Sequence, residues 1–346
     1  MKHLVTGGAG FIGRWLAKVL LERGDSVVSF DNYSNSHPRN LAEFQSNPRL
    51  ACVEGSVTHV DAMRALWNAH GPFDGVFHLA ASIRVQDSID DPRTTFHNDV
   101  TGTFEVLEAC RRQYLESNGL KPGAPFHLHA VESQLKVKAP RVLVMSTCMV
   151  YARAGGAQAI SETHPTNPAS PYAASKIAAE NLALSYQRSY GLPVKVVRPF
   201  NTYGPFQKRN MEGGVVAIFI ARDLQGQALL VKGDGAQTRD LLFVEDCACF
   251  VAAAGLSEKC DGEILNAGLG QDIAVKELAR VIADQKNGGS GVPIEHVVHD
   301  HPQAEIAKLL CDNSKAAQML GWRPAVSLEE GIRRTREWIR ANPGAL

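Results

Sequence analysis

A tyrosine and a lysine stand four positions apart in the segment SPYAASK, which begins at Ser170. Serine commonly caps a helix N-terminus, Pro171 suits the first helical position, and good helix formers follow. The segment therefore predicts a helix on which Tyr172 and Lys176 share one face. An ammonium beside a phenol favours the phenolate and lowers the tyrosine pKa toward neutral pH. The pair could act as a general base, although the same spacing also occurs on helices without catalytic function.

Two hydroxyl side chains follow an apolar segment upstream. Residues 141–145 (RVLVM) predict a buried strand, and Ser146 and Thr147 come directly after it. In open α/β sheets, ligands bind beyond the carboxyl ends of the strands, so we expect these hydroxyls near a ligand. Thr147 could relay a proton between a substrate hydroxyl and the Tyr172 phenol.

A glycine-rich turn lies near the start of the chain. Gly7, Gly10 and Gly13 follow a predicted strand and open a predicted helix. Side chains at these positions would obstruct the tight turn, the approach of backbone to a pyrophosphate, or the packing of helix on sheet. The helix N-terminus also attracts phosphates. The motif therefore predicts a dinucleotide-binding site.

Asp31, at the end of the second predicted strand, supports this interpretation. A carboxylate at this distance can accept hydrogen bonds from the adenosine ribose, and it would repel a 2′-phosphate. Because no arginine follows immediately, the predicted cofactor is NAD rather than NADP. The positive charge of a bound nicotinamide would further favour the Tyr172 phenolate.

The segments that must position these residues alternate between strands and helices, as expected of βαβ units. Helices are predicted at 11–23, 60–70 and 100–114. Strands are predicted at Lys2–Thr6, Ser26–Asp31, Leu50–Glu54, Gly75–Leu79, Arg141–Ser146, Val194–Arg198, Leu229–Gly233 and Glu263–Ala267. The predicted fold class is α/β, with a Rossmann-type, doubly wound parallel sheet and a smaller C-terminal substrate-binding region.

The same pattern predicts how the chain divides. Residues 1–200 are expected to form the NAD-binding region, and residues 201–346 mainly a discontinuous substrate-binding region. Residues 115–139 interrupt the alternation with Gly and Pro, which predicts an insertion that carries a short helix.

Composition restricts the class of protein. Of the 346 residues, 45% are hydrophobic and 21% charged, as in soluble globular proteins, and 36 basic residues balance 36 acidic ones. With no net charge, the protein has no long-range electrostatic attraction for nucleic acid or an anionic membrane. The N-terminal apolar run is too short for a secretory or spanning segment. The seven cysteines are scattered and form no CxxC pair, which predicts a reducing cytoplasm. Neither the cysteines nor histidines such as His78, His299 and His301 have metal-ligand spacing, so no metal site is predicted.

Together these motifs resemble the extended short-chain dehydrogenase/reductase family, specifically its nucleotide-sugar epimerases and dehydratases. The resemblance covers nearly the whole chain. The matching stretches are GGAGFIG at 7–13, DNYSNS at 31–36, HLAA at 78–81, Ser146-Thr147, SPYAASK at 170–176, RPFNTYGP at 198–205, GDGAQTRDLLFVEDCA at 233–248 and LGWRP at 320–324.

The resemblance implies roles for individual residues. Tyr172 would be the base, Lys176 its electrostatic partner and a ribose ligand, and Thr147 the hydroxyl relay. The expected contacts of NAD are Gly7, Gly10, Phe11, Ile12, Gly13, Asp31, Asn32, Asn35, Ser36, Leu79, Ala80, Ala81, Tyr172 and Lys176.

The expected partners are a nucleotide-diphosphate sugar and a second copy of the chain in a homodimer. Asn201 is expected to contact the sugar diphosphate, and Arg239 a phosphate, for which a guanidinium fork is suited. The residues expected to bind substrate are Thr147, Cys148, Met149, Asn201 and Arg239.

Two positions depart from the family pattern. Members commonly carry an aspartate after the third strand that contacts adenine, whereas this chain has Gly55-Ser56-Val57. The asparagine that usually begins the N-V-x-G-T helix is replaced by Asp99. The charge of Asp99 is expected to shift the Tyr172 pKa.

The residues after Thr147 bear on the type of reaction. Resembling 4,6-dehydratases have Asp and Glu there, whereas this chain has Cys148 and Met149. Removing water across C5 and C6 requires a base and an acid, and Met149 can be neither. Epimerisation at C4 through a transient 4-keto sugar needs only the tyrosine, the threonine and NAD, so this is the expected function. The alternatives are a 4,6- or 5,6-dehydratase that uses Cys148, and a non-catalytic NAD-sensing module.

Overall fold

The computed structural model describes residues 1–123, 126, 128, 135–154, 158–208, 214–298 and 306–344. The chain forms two compact units. The first comprises Met1–Ser146, Pro171–Val197 and Ala248–Ile264, and the second comprises Thr147–Ser170, Arg198–Cys247 and Leu265–Leu346. The chain thus passes repeatedly from one unit to the other, whereas the sequence-based division used a single boundary at residue 200.

A seven-stranded sheet contains all six strands predicted within residues 1–200. Its seventh strand is the one predicted at Glu263–Ala267, which the sequence-based division assigned to the C-terminal region. The strand order is β10-β6-β5-β4-β1-β2-β3, and the neighbouring strands run parallel. The order reverses beside β1, as in Rossmann folds. The strands are β1 (Lys2–Thr6), β2 (Ser26–Asp31), β3 (Leu50–Glu54), β4 (Gly75–His78), β5 (Arg141–Met145), β6 (Val194–Pro199) and β10 (Ile264–Ala267).

The helices of the described residues bury apolar faces. In the first unit, residues of α2, α5 and α6 pack with the sheet strands into one hydrophobic core. The α-helices are α1 (Phe11–Glu22), α2 (Val60–His70), α3 (Val85–Asp90), α4 (Pro92–Phe96), α5 (Gly102–Ser117), α6 (Pro171–Tyr190), α7 (Val215–Leu224), α8 (Val244–Leu256), α9 (Val275–Ala283), α10 (Ser314–Leu320) and α11 (Leu328–Ala341).

The second unit has its own core, in which α7, α9 and α11 cover short strands. Strand β9 pairs in parallel with β7 and β13 and antiparallel with β11, while β8 pairs in parallel with β12. A buried ion pair joins Arg336 of α11 to Asp223 of α7. The strands are β7 (Asn201–Tyr203), β8 (Leu229–Lys232), β9 (Thr238–Phe243), β11 (Asp272–Ala274), β12 (Ile294–Val297) and β13 (Lys308–Leu309).

The predicted α/β, Rossmann-type class is confirmed. One helix differs in detail. The segment predicted to begin at residue 100 starts with a π-helical turn, His97–Thr101, and α5 then extends to Ser117. The main chain of Val137 donates to Asn118 Oδ1 at 2.8 Å and accepts from Asn118 Nδ2 at 3.0 Å, which closes the insertion at its base. The short helix predicted within the insertion lies outside the described residues.

None of the helices in the described part of the chain combines the length and apolar character needed to cross a membrane.

Candidate active site

The glycine-rich turn joins β1 to α1 in the first unit. Gly7 has a φ of +67°, in the left-handed region, and its amide donates to Phe30 O at 2.8 Å. A Cβ on Gly7 would lie 2.9 Å from Ala80 N, and one on Gly13 would lie 2.1 Å from Gly7 O. Both close approaches therefore require glycine. Gly10 precedes α1, and Phe11 and Ile12 begin it.

The N-terminus of α1 suits an anion. The cap position before α1 is Gly10, and within the described residues no side-chain hydrogen bond caps this helix end. Unpaired amides and the helix dipole favour a phosphate at such an end. A dinucleotide pyrophosphate requires a turn without Cβ atoms and a helix start without a side-chain cap. Gly7–Gly13 and the start of α1 provide both, so the residues fit NAD.

Asp31 organises the adjoining segment. It is buried at the end of β2. Its Oδ2 accepts from Ala9 N at 3.0 Å, and its Oδ1 accepts from Tyr33 N at 2.9 Å and Ser36 Oγ at 2.7 Å. A carboxylate has about four acceptor positions, so one is left for a ribose hydroxyl. The side chains of Asn32 and Asn35 are exposed in the same segment.

Gly55 and Ser56 make local contacts at the end of β3. The Gly55 amide donates to Asp31 O at 3.0 Å, and a Cβ at this position would meet the Phe30 ring at 2.5 Å. Ser56 Oγ is engaged with Thr58 Oγ1 at 2.9 Å. The chain therefore forms backbone and hydroxyl contacts after β3, where the sequence analysis expected an aspartate from the family resemblance.

The segment after β4 lies against the glycine turn. Leu79 N donates to Thr6 O at 3.1 Å, and Ala80 N donates to Thr6 Oγ1 at 3.3 Å. Leu79, Ala80 and Ala81 are half-buried. These contacts hold the three predicted cofactor residues beside the turn that begins at Gly7.

Behind this segment lies His78, whose ring contacts Thr6 Oγ1 at 2.8 Å and Thr103 Oγ1 at 3.0 Å. Burial lowers the His78 pKa to about 3, so the ring is neutral at physiological pH. His78 therefore has a packing role between β1 and α5. His299 and His301 lie outside the described residues.

Tyr172 and Lys176 occupy the first turns of α6, which begins at Pro171 as predicted. Both side chains are buried. Lys176 Nζ donates to Met145 O, the last residue of β5, at 3.0 Å. Burial lowers the Lys176 pKa, and the charges of Asp99 and Glu180 oppose that effect. The ammonium is thus a buried cation anchored at the strand end.

Ser146 and Thr147 follow β5. Ser146 N donates to Val197 O at 2.8 Å, while its buried Oγ has no hydrogen-bond partner within the described structure. Thr147 Oγ1 accepts from Met149 N at 3.2 Å and caps the short 3₁₀ turn Cys148–Val150. That bond leaves the hydroxyl proton available, and the side chain of Cys148 is a further group within hydrogen-bonding reach of Thr147.

Cys148 is a buried, neutral thiol. Burial raises its pKa to about 12, opposed in part by the charge of Arg239 and reinforced by that of Asp240. The thiolate is therefore negligible at neutral pH. Met149 is half-buried and carries no titratable proton. Neither residue can act as a base.

Asn201 and Arg239 belong to the second unit, like Thr147. Asn201 begins β7, and its buried Oδ1 has no partner among the described atoms. Arg239 Nη1 donates to Thr238 O at 2.7 Å and Ile306 O at 2.9 Å. Burial lowers the Arg239 pKa, but a guanidinium remains charged. Ile306 also borders a cavity.

That cavity has a volume of about 470 Å³ and lies within the second unit. No motif in the sequence pointed to it, because its walls come from segments far apart in the chain. The lining residues are Tyr151, Ala152, Arg153, Asn167, Pro168, Ala169 and Ile306.

Asp240 was also missed as a site-organising residue. It is fully buried, and its carboxylate accepts from Leu269 N at 2.6 Å, Gly270 N at 2.9 Å and Cys311 N at 3.1 Å. Burial raises its pKa to about 6 against these three bonds. In the sequence Asp240 directly follows Arg239, and such a neighbouring pair indicates no more than a local ion pair.

The expected cofactor residues all lie in the first unit, and the five expected substrate residues all lie in the second. The structure brings Gly7, Asp31 and the segment after β4 together within the first unit, and Lys176 to the end of β5. Within the second, Cys148 is close enough to Arg239 and Asp240 for their charges to affect its thiol.

Comparison with known proteins identifies several relatives. A family model described as GDP-mannose 4,6 dehydratase matches residues 4–335. The UDP-glucose 4-epimerase of Mycolicibacterium smegmatis is 34% identical over 348 residues, covering 98% of this chain and 99% of that protein.

Two solved structures are similar over their whole length. Pal from Bacillus thuringiensis is 51% identical with a TM-score of 0.86, covering 99% of both chains. The UDP-glucose 4-epimerase of Thermus thermophilus in complex with NAD is 30% identical with a TM-score of 0.83, covering 100% of both chains.

Proposed function

The chain belongs to the GDP-mannose 4,6 dehydratase family of extended short-chain dehydrogenases/reductases, and from this we propose that it is an NAD-dependent nucleotide-sugar epimerase acting through a transient 4-keto sugar. The relative with NAD bound and the epimerase relatives support this reading. We place the changed stereocentre at C4.

In this proposal the first unit holds NAD. The pyrophosphate would lie over the glycine turn at the start of α1, and the remaining acceptor position of Asp31 would take a ribose hydroxyl. When bound, NAD supplies hydride acceptance from the sugar and hydride return. The half-buried Leu79, Ala80 and Ala81 would exclude water beside it.

The second unit would hold the nucleotide-sugar. Arg239 is a charged donor fixed by two main-chain oxygens, and such a fork suits a phosphate. Asn201 would donate to the diphosphate from its amide nitrogen, while its buried Oδ1, which lacks a partner in the described structure, can only accept. These contacts would bind the part of the substrate that does not react.

The chemistry would need one base and one relay. Tyr172 would remove the proton of the C4 hydroxyl, directly or through Thr147, as the C4 hydride leaves. The Lys176 ammonium would stabilise the phenolate. Once the 4-keto sugar had turned its other face, Tyr172 would return the proton to the C4 oxygen as C4 was reduced. No water is gained or lost, so substrate and product are isomers.

One observation carries the choice of epimerisation. The two residues after Thr147 are a thiol whose pKa burial raises to about 12 and a methionine, so neither can accept the C5 proton. Elimination needs that base. Oxidation and reduction at C4 do not.

A dehydratase is the second candidate, and a specific feature favours it. The same burial that prevents Cys148 from acting as a base keeps its thiol protonated, so it could protonate a leaving hydroxyl at C6. The description of the family model also names a 4,6-dehydratase. This candidate would require a base for C5 from elsewhere in the chain.

The experiment is product analysis with a panel of UDP-, GDP-, CDP- and dTDP-sugars. The proposal expects an isomer of unchanged mass with inverted configuration at C4, seen by mass spectrometry and NMR. A product lighter by one water would establish dehydration instead.

Two finer features belong to the same proposal. We propose a homodimer, supported by exposed apolar side chains on α3, α4 and α5, namely Ile89, Phe96 and Phe104. Light scattering after gel filtration tests it, and a monomer would contradict it. We propose a cytoplasmic location, supported by seven cysteines, all among the described residues, that form no disulfide with one another, and fractionation of the source cells tests that.

A further inference from the structure

Asp99 connects the cofactor segment to the helix that carries Tyr172 and Lys176. Its carboxylate is buried in the π-helical turn before α5. Oδ1 accepts from Ser82 N at 2.7 Å, and Oδ2 accepts from Ser175 Oγ at 3.0 Å. Ser82 directly follows Leu79–Ala81, and Ser175 directly precedes Lys176. One side chain therefore ties together two segments that the sequence separates widely.

The main chain around Asp99 is held just as firmly. Its carbonyl accepts from Thr103 Oγ1, which also contacts His78 Nε2 at 3.0 Å. The neighbouring Asn98 donates to Ser82 Oγ at 2.9 Å. A π-helical turn is an irregular feature that often occurs at functional sites. Here it lets consecutive side chains of the turn reach Ser82.

Hydrogen bonding alone does not explain why this residue is an aspartate. Ser175 Oγ has one hydrogen, but two acceptors lie within reach of it, Asp99 Oδ2 at 3.0 Å and Tyr172 O at 2.8 Å. An asparagine could donate to Ser175 Oγ and leave that hydrogen for Tyr172 O, while its own oxygen accepted from Ser82 N. The amide would satisfy the geometry at least as well, so the carboxylate differs from it chiefly in charge.

That charge acts on Lys176. The titratable groups that affect the buried ammonium are Asp99 from the π-helical turn, Glu180 from α6 itself and His78 from β4. His78 is neutral, and Asp99 has the larger effect of the two acidic groups. Burial raises the Asp99 pKa above its usual value, and the charge of Lys176 and the hydrogen bonds from Ser82 and Ser175 oppose that rise without cancelling it.

We propose that Asp99 is a positioning residue whose negative charge, set between Ser82 and Ser175, holds Lys176 as an ammonium and sets the pH range in which Tyr172 works. The proposal rests on the proposed function for the role of Tyr172. Its physical content, the effect of the Asp99 charge on Lys176 and through it on Tyr172, does not depend on the identity of the sugar.

The direction of the effect follows from electrostatics. A nearby negative charge favours a protonated lysine and a protonated tyrosine. Replacing Asp99 by Asn removes that charge and keeps the shape, so both groups lose their protons at lower pH. An ionised neighbour within about 4–6 Å shifts a pKa by about 1–3 units, and the shift becomes smaller with distance. Both limbs of the pH profile of kcat should therefore move to lower pH.

The test uses the NAD-loaded protein and two independent readouts. The first is the titration of the Tyr172 phenolate, followed by its ultraviolet absorbance. For each protein, the absorbance of the same protein with Tyr172→Phe is subtracted. The second is the pH profile of kcat. We expect D99N to lower the midpoint of the phenolate titration and to move the kcat profile in the same direction.

Two further variants separate charge from hydrogen bonding. Ser175→Ala removes the hydroxyl but keeps the carboxylate, so its titration midpoint should stay near that of the unsubstituted protein. Glu180→Gln removes the weaker charge and should shift the midpoint in the same direction by less. The proposal would be overturned if D99N and the unsubstituted protein titrated at the same pH. It would also be overturned if Ser175→Ala shifted the midpoint as much as D99N does.

The phenolate readout needs no sugar, so the two proposals fail separately. If no nucleotide-sugar is converted while the titration shifts as expected, the proposed function fails and the role of Asp99 stands. If D99N does not fold, the proposal rests on Ser175→Ala, for which a large shift contradicts it and an unchanged midpoint supports it.

Discussion

Lys176 Nζ lies 3.0 Å from the main-chain oxygen of Met145, to which it donates a hydrogen bond. Met145 is the last residue of β5, and Thr147 stands two positions further along the chain. The bond therefore fixes the lysine of α6 to the strand end that carries the proposed hydroxyl relay. The lysine has a structural anchor as well as an electrostatic role.

Replacing Tyr172 with Phe removes the proposed base while keeping the ring that is buried in α6. We expect kcat to fall about a hundred-fold or more, as for a lost general base, with NAD and nucleotide-sugar binding retained. Steady-state kinetics and calorimetry measure the two effects. Tyr186→Phe, on the same helix, is the control and should keep its activity. Turnover near the original value would remove Tyr172 from the mechanism.

Replacing Asp31 with Ala should weaken NAD binding by about ten-fold or more, the cost of a lost hydrogen bond to a charged group. The loss includes the release of Ala9 N and Ser36 Oγ, which Asp31 now binds. Glu54→Ala is a matched control, because Glu54 pairs with Asp31 in the strand register but is exposed. Combining Asp31→Ala with Asn32→Arg should improve the use of NADP. Unchanged NAD affinity in calorimetry would contradict the assignment.

The folded state of this protein should depend on pH through Asp240, whose pKa burial raises to about 6. Unfolding returns that carboxyl to its usual pKa near 4, so between about pH 4 and 6 the folded state binds more protons than the unfolded state. Its contribution to the free energy of unfolding is therefore greatest below pH 4 and falls as pH rises through 6.

Asp240→Asn replaces the titratable carboxyl by an amide. The amide NH2 would face backbone N–H donors that it cannot bond, so the variant should be less stable by roughly 1–3 kcal/mol. Its deficit relative to the original protein should shrink as pH rises from about 4 to 7. Urea unfolding at several pH values measures it. A deficit that grows over this range would mean that the folded state lowers the Asp240 pKa.

The fold could be predicted from local patterns because its elements are short and strongly periodic. The helix at Val60–His70 has its predicted bounds, since an apolar face and a following Gly and Pro mark them. The π-helical turn at His97–Thr101 could not be predicted, because a single turn is too short to leave a periodic apolar pattern of its own.

The candidate site was predictable where a motif lies within a few residues. The glycine turn and SPYAASK are such motifs. The partners of Asp99 were not, because Ser82 and Ser175 lie 17 and 76 positions away and only folding brings them to one carboxylate. The three backbone donors around Asp240 come from two separate loops, and no side-chain pattern records a backbone donor.

Replacing Cys148 with Ala distinguishes a bystander thiol from an essential acid. In the epimerase mechanism the thiol lies outside the proton path, so activity should stay within a few-fold of the original. Cys110→Ala is the control, since Cys110 is also a fully buried thiol but lies in the core of the first unit. A loss of several orders of magnitude for Cys148→Ala alone, in a folded protein, would favour dehydration.

The central claim is that only C4 is oxidised and reduced, and reaction in deuterated water tests it most directly. If Tyr172 exchanges only the hydroxyl proton, the hydrogen at C4 returns as hydride and the C5 hydrogen never meets an enzyme base. The product analysed by NMR and mass spectrometry should then contain no deuterium on carbon, with C4 inverted and the mass unchanged. Deuterium at C5 or C6, with loss of one water, would contradict the epimerase mechanism and establish a dehydratase.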